Sequence, residues 1–251
     1  MHAVSSRIDR APRPAPPAKP SPRPNALLLA EDKGLCRHQF GLFSGLTEIE
    51  QTHILSHGTR KTFAPGTALF SQGEPHRGVF VIESGRVRVF YNSPAGREIT
   101  LAYWGPGHFV GGPVIFGATP HQWSGMVEVG GSIVFLAGGV LENLIQDMPR
   151  LALGVIEGLS FKGRCYSAMA QMLGTRSAAE RLAHLLNHLC ESFGVVEPDG
   201  VLIADAFTHA QLANLIGSTR QWVTISLKKL HQAGVIHCEN ATIKVLRRDL
   251  L

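Results

Sequence analysis

The hydrophobic pattern along the chain changes period several times. From about residue 40 to 56, FGLFSGLTEIEQTHIL has helical spacing, and Thr47 followed three residues later by Glu50 fits a capping box. The period then shortens. GTALFSQGEPHRGVFVIESGRVRVFYNSPAGREITLAYWGPGHFVG sets VFVIE, RVRVFY and ITLAYW, rich in β-branched and aromatic residues, between turn signals at Gly73, Gly85, Gly96, Gly105 and Gly107. MVEV and SIVFLAG carry the pattern to about 138. Short strands at this spacing predict an antiparallel barrel or roll.

From about 140 to 193 the spacing is helical again. Ala152, Ile156, Leu159, Gly163, Tyr166, Ala170 and Leu173 alternate steps of four and three, a seam of roughly 3.5-residue period. Gly163 and Ala170 are small enough to let a second helix approach closely. The seam predicts a dimerisation helix, with burial against the chain's own roll as the other reading. Ser177 and Glu180 form another capping box, and RLAHLLNHL begins a new helix.

The C-terminal pattern is the most specific. Thr208-His-Ala-Gln211 opens a short helix with a capping box, Leu212 and Leu215 or Ile216 give its buried side, and Gly217 ends it. Ser218 or Thr219 caps the next helix. There Val223, Leu227 and Leu230 face a core, while Arg220, Gln221, Thr224 and Lys228 fall on the opposite face. Two helices around a glycine turn, with a polar face on the second, predict a helix-turn-helix, a motif that places the start of its second helix in the major groove of DNA. GVIHCENATIKVLRR then reads as two strands around Glu239–Asn240, a β-wing.

Charge agrees with that reading. Arg7, Arg10, Arg13, Lys19 and Arg23 against Asp9 give +4 over residues 1–30, and six basic against three acidic residues give +3 over 202–251. Residues 31–201, with 13 basic and 15 acidic side chains, carry −2. A basic C-terminal segment suits nucleic acid. APRPAPPAKPSPRP predicts an extended, solvated tail. No apolar run of about 18 residues indicates a membrane span, no secretory signal is recognisable, and a cytoplasmic location is expected. Cys36, Cys165, Cys190 and Cys238 are far apart, which argues against a disulfide framework or a zinc or iron–sulfur centre. His184 and His188 share a helix face but have no third ligand nearby in sequence, so no metal site is expected.

Over roughly residues 38–248 the chain resembles the CRP/FNR family of bacterial transcription regulators. The resemblance rests on GTALFSQGEPHRGVFVIESGRVRVF, GPGHFVGG and LIGSTRQWVTISLKKL. It implies an α+β chain: a basic tail (1–30), a cyclic-nucleotide-binding-like β-roll (31–140), a long dimerisation helix (141–175, with Ile156, Leu159, Gly163, Tyr166, Ala170 and Leu173 at the seam) and a winged helix-turn-helix (176–251). It also implies a non-enzymatic homodimer on two-fold symmetric promoter DNA, in contact with RNA polymerase. The implied DNA-contacting residues are Thr208, Ser218, Thr219, Arg220, Gln221, Trp222, Thr224 and Lys228.

Two departures matter in the roll. Family members that bind cyclic AMP carry a Glu, then an Arg-Ser pair, in their phosphate cassette. In FVGGPVIFGATPHQWSG, Gly112 stands in place of the Glu and Trp123 in place of the Arg. The expected effector pocket, Val110, Gly111, Gly112, Trp123 and Ser124, therefore lacks the carboxylate for the ribose and the guanidinium for the phosphate. Tight cyclic AMP binding is not expected. Another ligand against Trp123, or a pocket filled by its own side chains, are the alternatives, and the cofactor is unknown. Only Cys36 precedes the roll, too few for the oxygen-sensing branch's iron–sulfur cluster.

On the second helix, Arg220 matches a family position that contacts guanine. Gln221 replaces a usual Glu and suits adenine, and Ile225 replaces a second base-reading Arg. Trp222 is open between a backbone contact and packing on a neighbouring helix. The rival functions are a constitutive DNA-binding protein with a vestigial roll and a ligand-regulated enzyme built on the roll.

Overall fold

Short strands between residues 59 and 137 form two antiparallel sheets that close over a shared apolar core. The computed structural model describes residues 26–27, 41–112, 115–116, 119–239 and 242–251; Cys36 and nearly all of the proline-rich segment lie outside them. The roll is built from β1 (Ala26–Leu27), β2 (Thr59–Phe63), β3 (Ala68–Phe70), β4 (Gly78–Ile82), β5 (Arg86–Asn92), β6 (Glu98–Trp104), β7 (Phe109–Val110), β8 (Ser124–Val129) and β9 (Gly131–Ala137). One sheet runs β1-β6-β5-β8-β3 and the other β2-β9-β4-β7. Val87 and Val89 of β5, Ala102 and Trp104 of β6, and Ile82 and Ile133 of the second sheet meet in the core between them.

Two boundaries differ from the sequence reading. Ala26 and Leu27, inside the stretch assigned to the tail, pair with Trp104 and Tyr103 at the edge of the first sheet and are buried there. Two apolar residues after the last proline are enough to extend an unprotected edge. The first helix, α1 (Glu48–Ser56), starts later than its apolar spacing suggests, because Thr47 caps it. The Thr47 amide donates to Glu50 at 2.7 Å, and these hydrogen bonds hold the Glu50 carboxyl below its usual range.

The helical stretch after the roll is three helices: α2 (Gly138–Asp147), α3 (Pro149–Thr175) and α4 (Ala178–Phe193). Pro149 lacks an amide hydrogen, so it suits the first turn of α3 and breaks continuity with α2. Ser177 caps α4 with Glu180 in the expected box. Helix α3 buries Leu151, Val155, Gly158, Lys162, Cys165, Met169 and Met172. These also alternate steps of four and three, and they are the expected seam shifted back by one residue. One residue turns an α-helix by about 100°, so the roll takes one stripe of α3 and the expected seam is the stripe beside it. Ile156 in that seam is 57% exposed, and adjacent Leu153 is 60% exposed.

The C-terminal region comprises β10 (Gly194–Glu197), β11 (Gly200–Ile203), α5 (His209–Ile216), α6 (Arg220–Gln232), β12 (Ile236–Glu239) and β13 (Thr242–Val245). The wing is half of a four-stranded sheet, β10-β11-β13-β12. The β10–β11 hairpin was not anticipated. Its signal is Glu197-Pro-Asp-Gly200, with Pro second and Gly fourth as a tight turn prefers. Lys244 on β13 pairs with both Glu197 and Asp199, tying the hairpin to the wing.

Close approach of α3 to the roll depends on small residues. A Cβ on Gly154 would stand 2.2 Å from the Leu42 carbonyl oxygen, whereas one on Gly174 would meet nothing within 4 Å. Gly154→Ala should therefore lower stability by roughly 1–3 kcal/mol through overpacking. Gly174→Ala should raise it by about 0.5–1 kcal/mol through helix propensity. Urea unfolding of both variants checks the contrast, and equal effects would contradict the packing described.

Candidate functional site

The helix-turn-helix is assembled from the caps outward. Thr208 accepts from the Gln211 amide at 3.2 Å, and its own amide donates to Gln211 Oε1 at 2.8 Å, so this hydroxyl serves α5 itself. Gly217 takes the left-handed conformation, φ 61°, which turns the chain toward α6. Thr219, not Ser218, caps α6 by accepting from the Trp222 amide at 3.2 Å. Val223 and Leu227 are buried against Leu212, Leu215 and Ile216, with Leu230 partly buried beside them.

The opposite side of α6 is open. Thr219, Arg220, Gln221, Thr224 and Lys228 are exposed, and Ser218 is half-buried in the turn. Ile225, 49% exposed, joins them on this surface. The Thr224 hydroxyl donates to the Arg220 carbonyl and lies 2.8 Å from His209 Nδ1, which leaves its methyl group as the outward feature. Trp222 departs from the expected set. It packs on the helix-turn-helix core and, with Ser226, Lys229 and Leu230, lines a groove toward Met172, Leu182 and Leu251. Helical geometry is the reason: 222, 226, 229 and 230 share a face turned away from Arg220 and Gln221. Trp222 is half-buried in this packing.

In the roll, Val110, Gly111, Gly112 and Trp123 come together with Val89, Trp104, Leu159, Lys162, Gly163 and Tyr166 around a cavity of about 230 Å³. Four of the five expected pocket residues line it. Ser124 does not; its hydroxyl accepts from the Gln72 amide at 3.0 Å. Three seam residues, Leu159, Gly163 and Tyr166, form the α3 wall. The rings of Trp123 and Tyr166 meet edge to face at 5.7 Å. Sequence reasoning missed Lys162, although its spacing from Gly158 and Cys165 places it on the buried stripe.

Sequence reasoning also missed a contact between the roll and the helix-turn-helix. Helix α5 rests on β6, and Tyr103 of the roll shares a core with Leu212 and Leu215. Polar groups surround that contact. Asn214 Nδ2 donates to Glu98 at 2.5 Å, and Glu98 is also paired with Arg88. Gln211 Nε2 donates to Glu128 at 2.6 Å, Arg86 pairs with Asp205 at 3.2 Å, and Arg97 donates to the Gly217 carbonyl at 2.9 Å. The turn between the two DNA-side helices is thus held by a hairpin of the roll.

Cys165 and Cys190 are buried, and burial pushes the Cys190 thiol up to about 11, away from an activated thiolate. Among the described residues no three His, Cys, Asp or Glu side chains are grouped to hold a metal, and no helix is long and apolar enough to cross a membrane.

Comparison with known proteins matches both halves. A cyclic nucleotide-binding domain matches residues 60–148, and a Crp-like helix-turn-helix domain matches residues 180–251. A CRP-like cAMP-activated global transcriptional regulator of Mycobacterium tuberculosis is 25% identical over 206 residues, covering 82% of this chain and 92% of that protein. A global nitrogen regulator of Synechocystis is 29% identical over 188 residues, covering 74% and 83%. The solved structure of the c-di-GMP-responsive regulator CLP of Xanthomonas campestris superposes with a TM-score of 0.73 at 22% identity, covering 79% and 99%. These relatives are transcription regulators rather than enzymes. With a nucleotide-binding-type roll, a long helix and a Crp-like helix-turn-helix in that order, the chain belongs to the CRP/FNR family of DNA-binding transcription regulators.

Proposed function

We propose that the chain is a cytoplasmic homodimer that binds two-fold symmetric promoter DNA through α6, contacts RNA polymerase there, and is controlled by a small molecule other than cyclic AMP in the roll cavity. The observation that carries the control is the shared wall: Leu159, Gly163 and Tyr166 line the cavity and belong to the α3 stripe on which Ile156, Gly163 and Ala170 are exposed and Leu159 and Tyr166 half-buried. A ligand there touches the surface a second copy would cover. The relatives respond to different signals by their names, cAMP in one and c-di-GMP in another. In this chain Gly112 and Trp123 offer cyclic AMP neither of the two charged groups it needs. Mobility shift on promoter DNA at fixed salt, with and without a ligand screen, tests the whole reading. No DNA binding would sink it, and binding that no ligand changes would favour a constitutive regulator with a vestigial roll.

On DNA, Arg220 supplies bidentate donors for guanine O6 and N7, Gln221 for adenine, and Ile225 and the Thr224 methyl give apolar contact for thymine. Ser218, Thr219 and Lys228 lie where phosphates would run, and they position rather than specify. Arg220→Ala should cost roughly 1–3 kcal/mol on the specific site and relax preference at one base pair. An equal loss on every sequence, measured across single-base variants of the site, would leave Arg220 a phosphate contact.

The contact between α5 and the roll acts as a latch on the orientation of the helix-turn-helix. Gln211 is informative because a capping box accepts Glu equally well. Gln is needed here because the same side chain donates to Glu128. Gln211→Glu preserves the cap and sets two carboxylates against each other. It should tighten ligand-free DNA binding about fivefold or more, within the usual range of allosteric coupling. Fluorescence anisotropy at constant ionic strength reads this, and unchanged or weaker binding would remove the latch from the mechanism.

A further inference from the structure

Lys162 is the one charged side chain on the buried stripe of α3. Its ammonium lies 4.0 Å from the ring centre of Phe109 and 4.7 Å from that of Trp104, and Nζ has no hydrogen-bond partner. The side chain lines the 230 Å³ cavity. A buried cation without a counter-ion carries a large desolvation penalty, which the two aromatic faces offset only in part.

Among the described residues no carboxylate pairs with Lys162, and the titratable group that favours its ammonium is Cys165. His108, from the turn before β7, is pushed down to about 3 by burial and by the nearby ammonium, so it is neutral and supplies no negative charge. Its Nδ1 is also buried without a partner. Cys165 lies one turn along α3, and the buried Tyr166 phenol is held above its usual range, so it stays neutral. Burial brings the Lys162 ammonium down to about 7, with Cys165 opposing the shift.

The rest of the cavity wall is apolar and aromatic: Val89, Trp104, Val110, Leu159, Trp123 and Tyr166. One cation at the end of an aromatic slot selects a flat apolar body with a single negative charge. The volume falls below the roughly 300–1,000 Å³ of drug-sized pockets, which limits the body to one or two rings. We propose that the cavity binds a small aromatic carboxylate, its ring against Trp123 and Tyr166 and its carboxylate paired with Lys162. The assignment rests on reading the roll as the effector domain.

Calorimetric titration of the full chain tests it with benzoate, phenylacetate and indole-3-acetate, their amides, and cyclic AMP. At least one acid should bind, and its amide should bind about tenfold or more weakly, as loss of a charge-assisted hydrogen bond predicts. Lys162→Met should erase the difference between acid and amide. Acid affinity should be level below pH 7 and fall above it as the ammonium loses its proton. Equal binding of acid and amide, an acid preference that survives in Lys162→Met, or binding of none of the three acids overturns the assignment. Tight cyclic AMP binding overturns it as well. DNA affinity measured alongside separates the two claims. If the acids bind with the Lys162 signature and DNA affinity does not move, the site stands and effector control fails. If a neutral ligand moves DNA affinity while no acid binds, effector control stands and the carboxylate is wrong.

A ligand-free readout guards against misfolding of the variant. The folded ammonium has a pKa of about 7 against an unfolded value of 10.5. Between those values the unfolded chain binds more protons at Lys162, so this residue makes stability rise with pH across that window, over the opposing fall that the raised Cys190 thiol gives wild type and Lys162→Met alike. Lys162→Met should lack this rise. A wild-type chain without it would overturn the buried, unpaired state of Lys162.

Discussion

Everything in this molecule hangs on one helix having two apolar stripes. Helix α3 presents Leu151 through Met172 to its own chain. One residue round the cylinder it presents Ile156, Gly163 and Ala170 to solvent. The first stripe seals the roll and runs on into the core of the DNA-reading domain, where Met169 and Met172 pack with Leu182 and Leu215. The second is left for a partner surface. A helix with one stripe would bind the roll and stop there. Two adjacent stripes make α3 a shared wall, because the cavity is lined by Lys162 from the first stripe and by Leu159, Gly163 and Tyr166 from the second.

That duplication explains why the sequence was legible in one respect and ambiguous in another. Both stripes alternate steps of four and three, so a 3.5-residue repeat is visible whichever is chosen. Period alone does not say which stripe the chain keeps for itself. The close contacts decide it: Gly154 under Leu42 and Gly158 under Phe109 are places where no larger residue fits. Local signals were readable because their physics is local. Thr47 with Glu50, Ser177 with Glu180, Thr208 with Gln211 and left-handed Gly217 each complete a helix end with groups a few residues apart. The exposed polar face of α6 was visible for the same reason, since Arg220, Gln221, Thr224 and Lys228 are set by helical spacing.

What stayed hidden depends on contacts between distant segments. Arg86, Arg88, Arg97, Glu98 and Glu128 look like ordinary solvated charges of a strand pair. Only the fold shows that they surround α5, more than 80 positions further on in every case. Trp222 is a similar case, because an aromatic beside Arg220 and Gln221 fits either a DNA contact or a packing role until the groove under it is seen. The β1 strand was hidden by composition, with Ala26 and Leu27 too short a run to stand out beside so many prolines.

Lys162 joins these strands of the argument. On the buried stripe it is the one position where hydrophobic pattern and side chain disagree, and such disagreements concentrate at functional sites. A structural explanation would require a partner; among the described residues neither neutral His108 nor neutral Tyr166 provides a negative charge, and Cys165 only partly opposes the penalty of burial. Replacing such a lysine with an apolar residue relieves a penalty, so packing alone gives no reason to keep it. Its value lies in what it attracts. Gly112 and Trp123 on the cavity wall carry no charge, and the lysine lies deep among indole, phenol and phenyl rings. The cation reaches the cavity from α3, whereas Gly112 and Trp123 reach it from the roll. An anion bound there would link the two elements through one ion pair, on a helix that also reaches the core of the helix-turn-helix through Met169 and Met172.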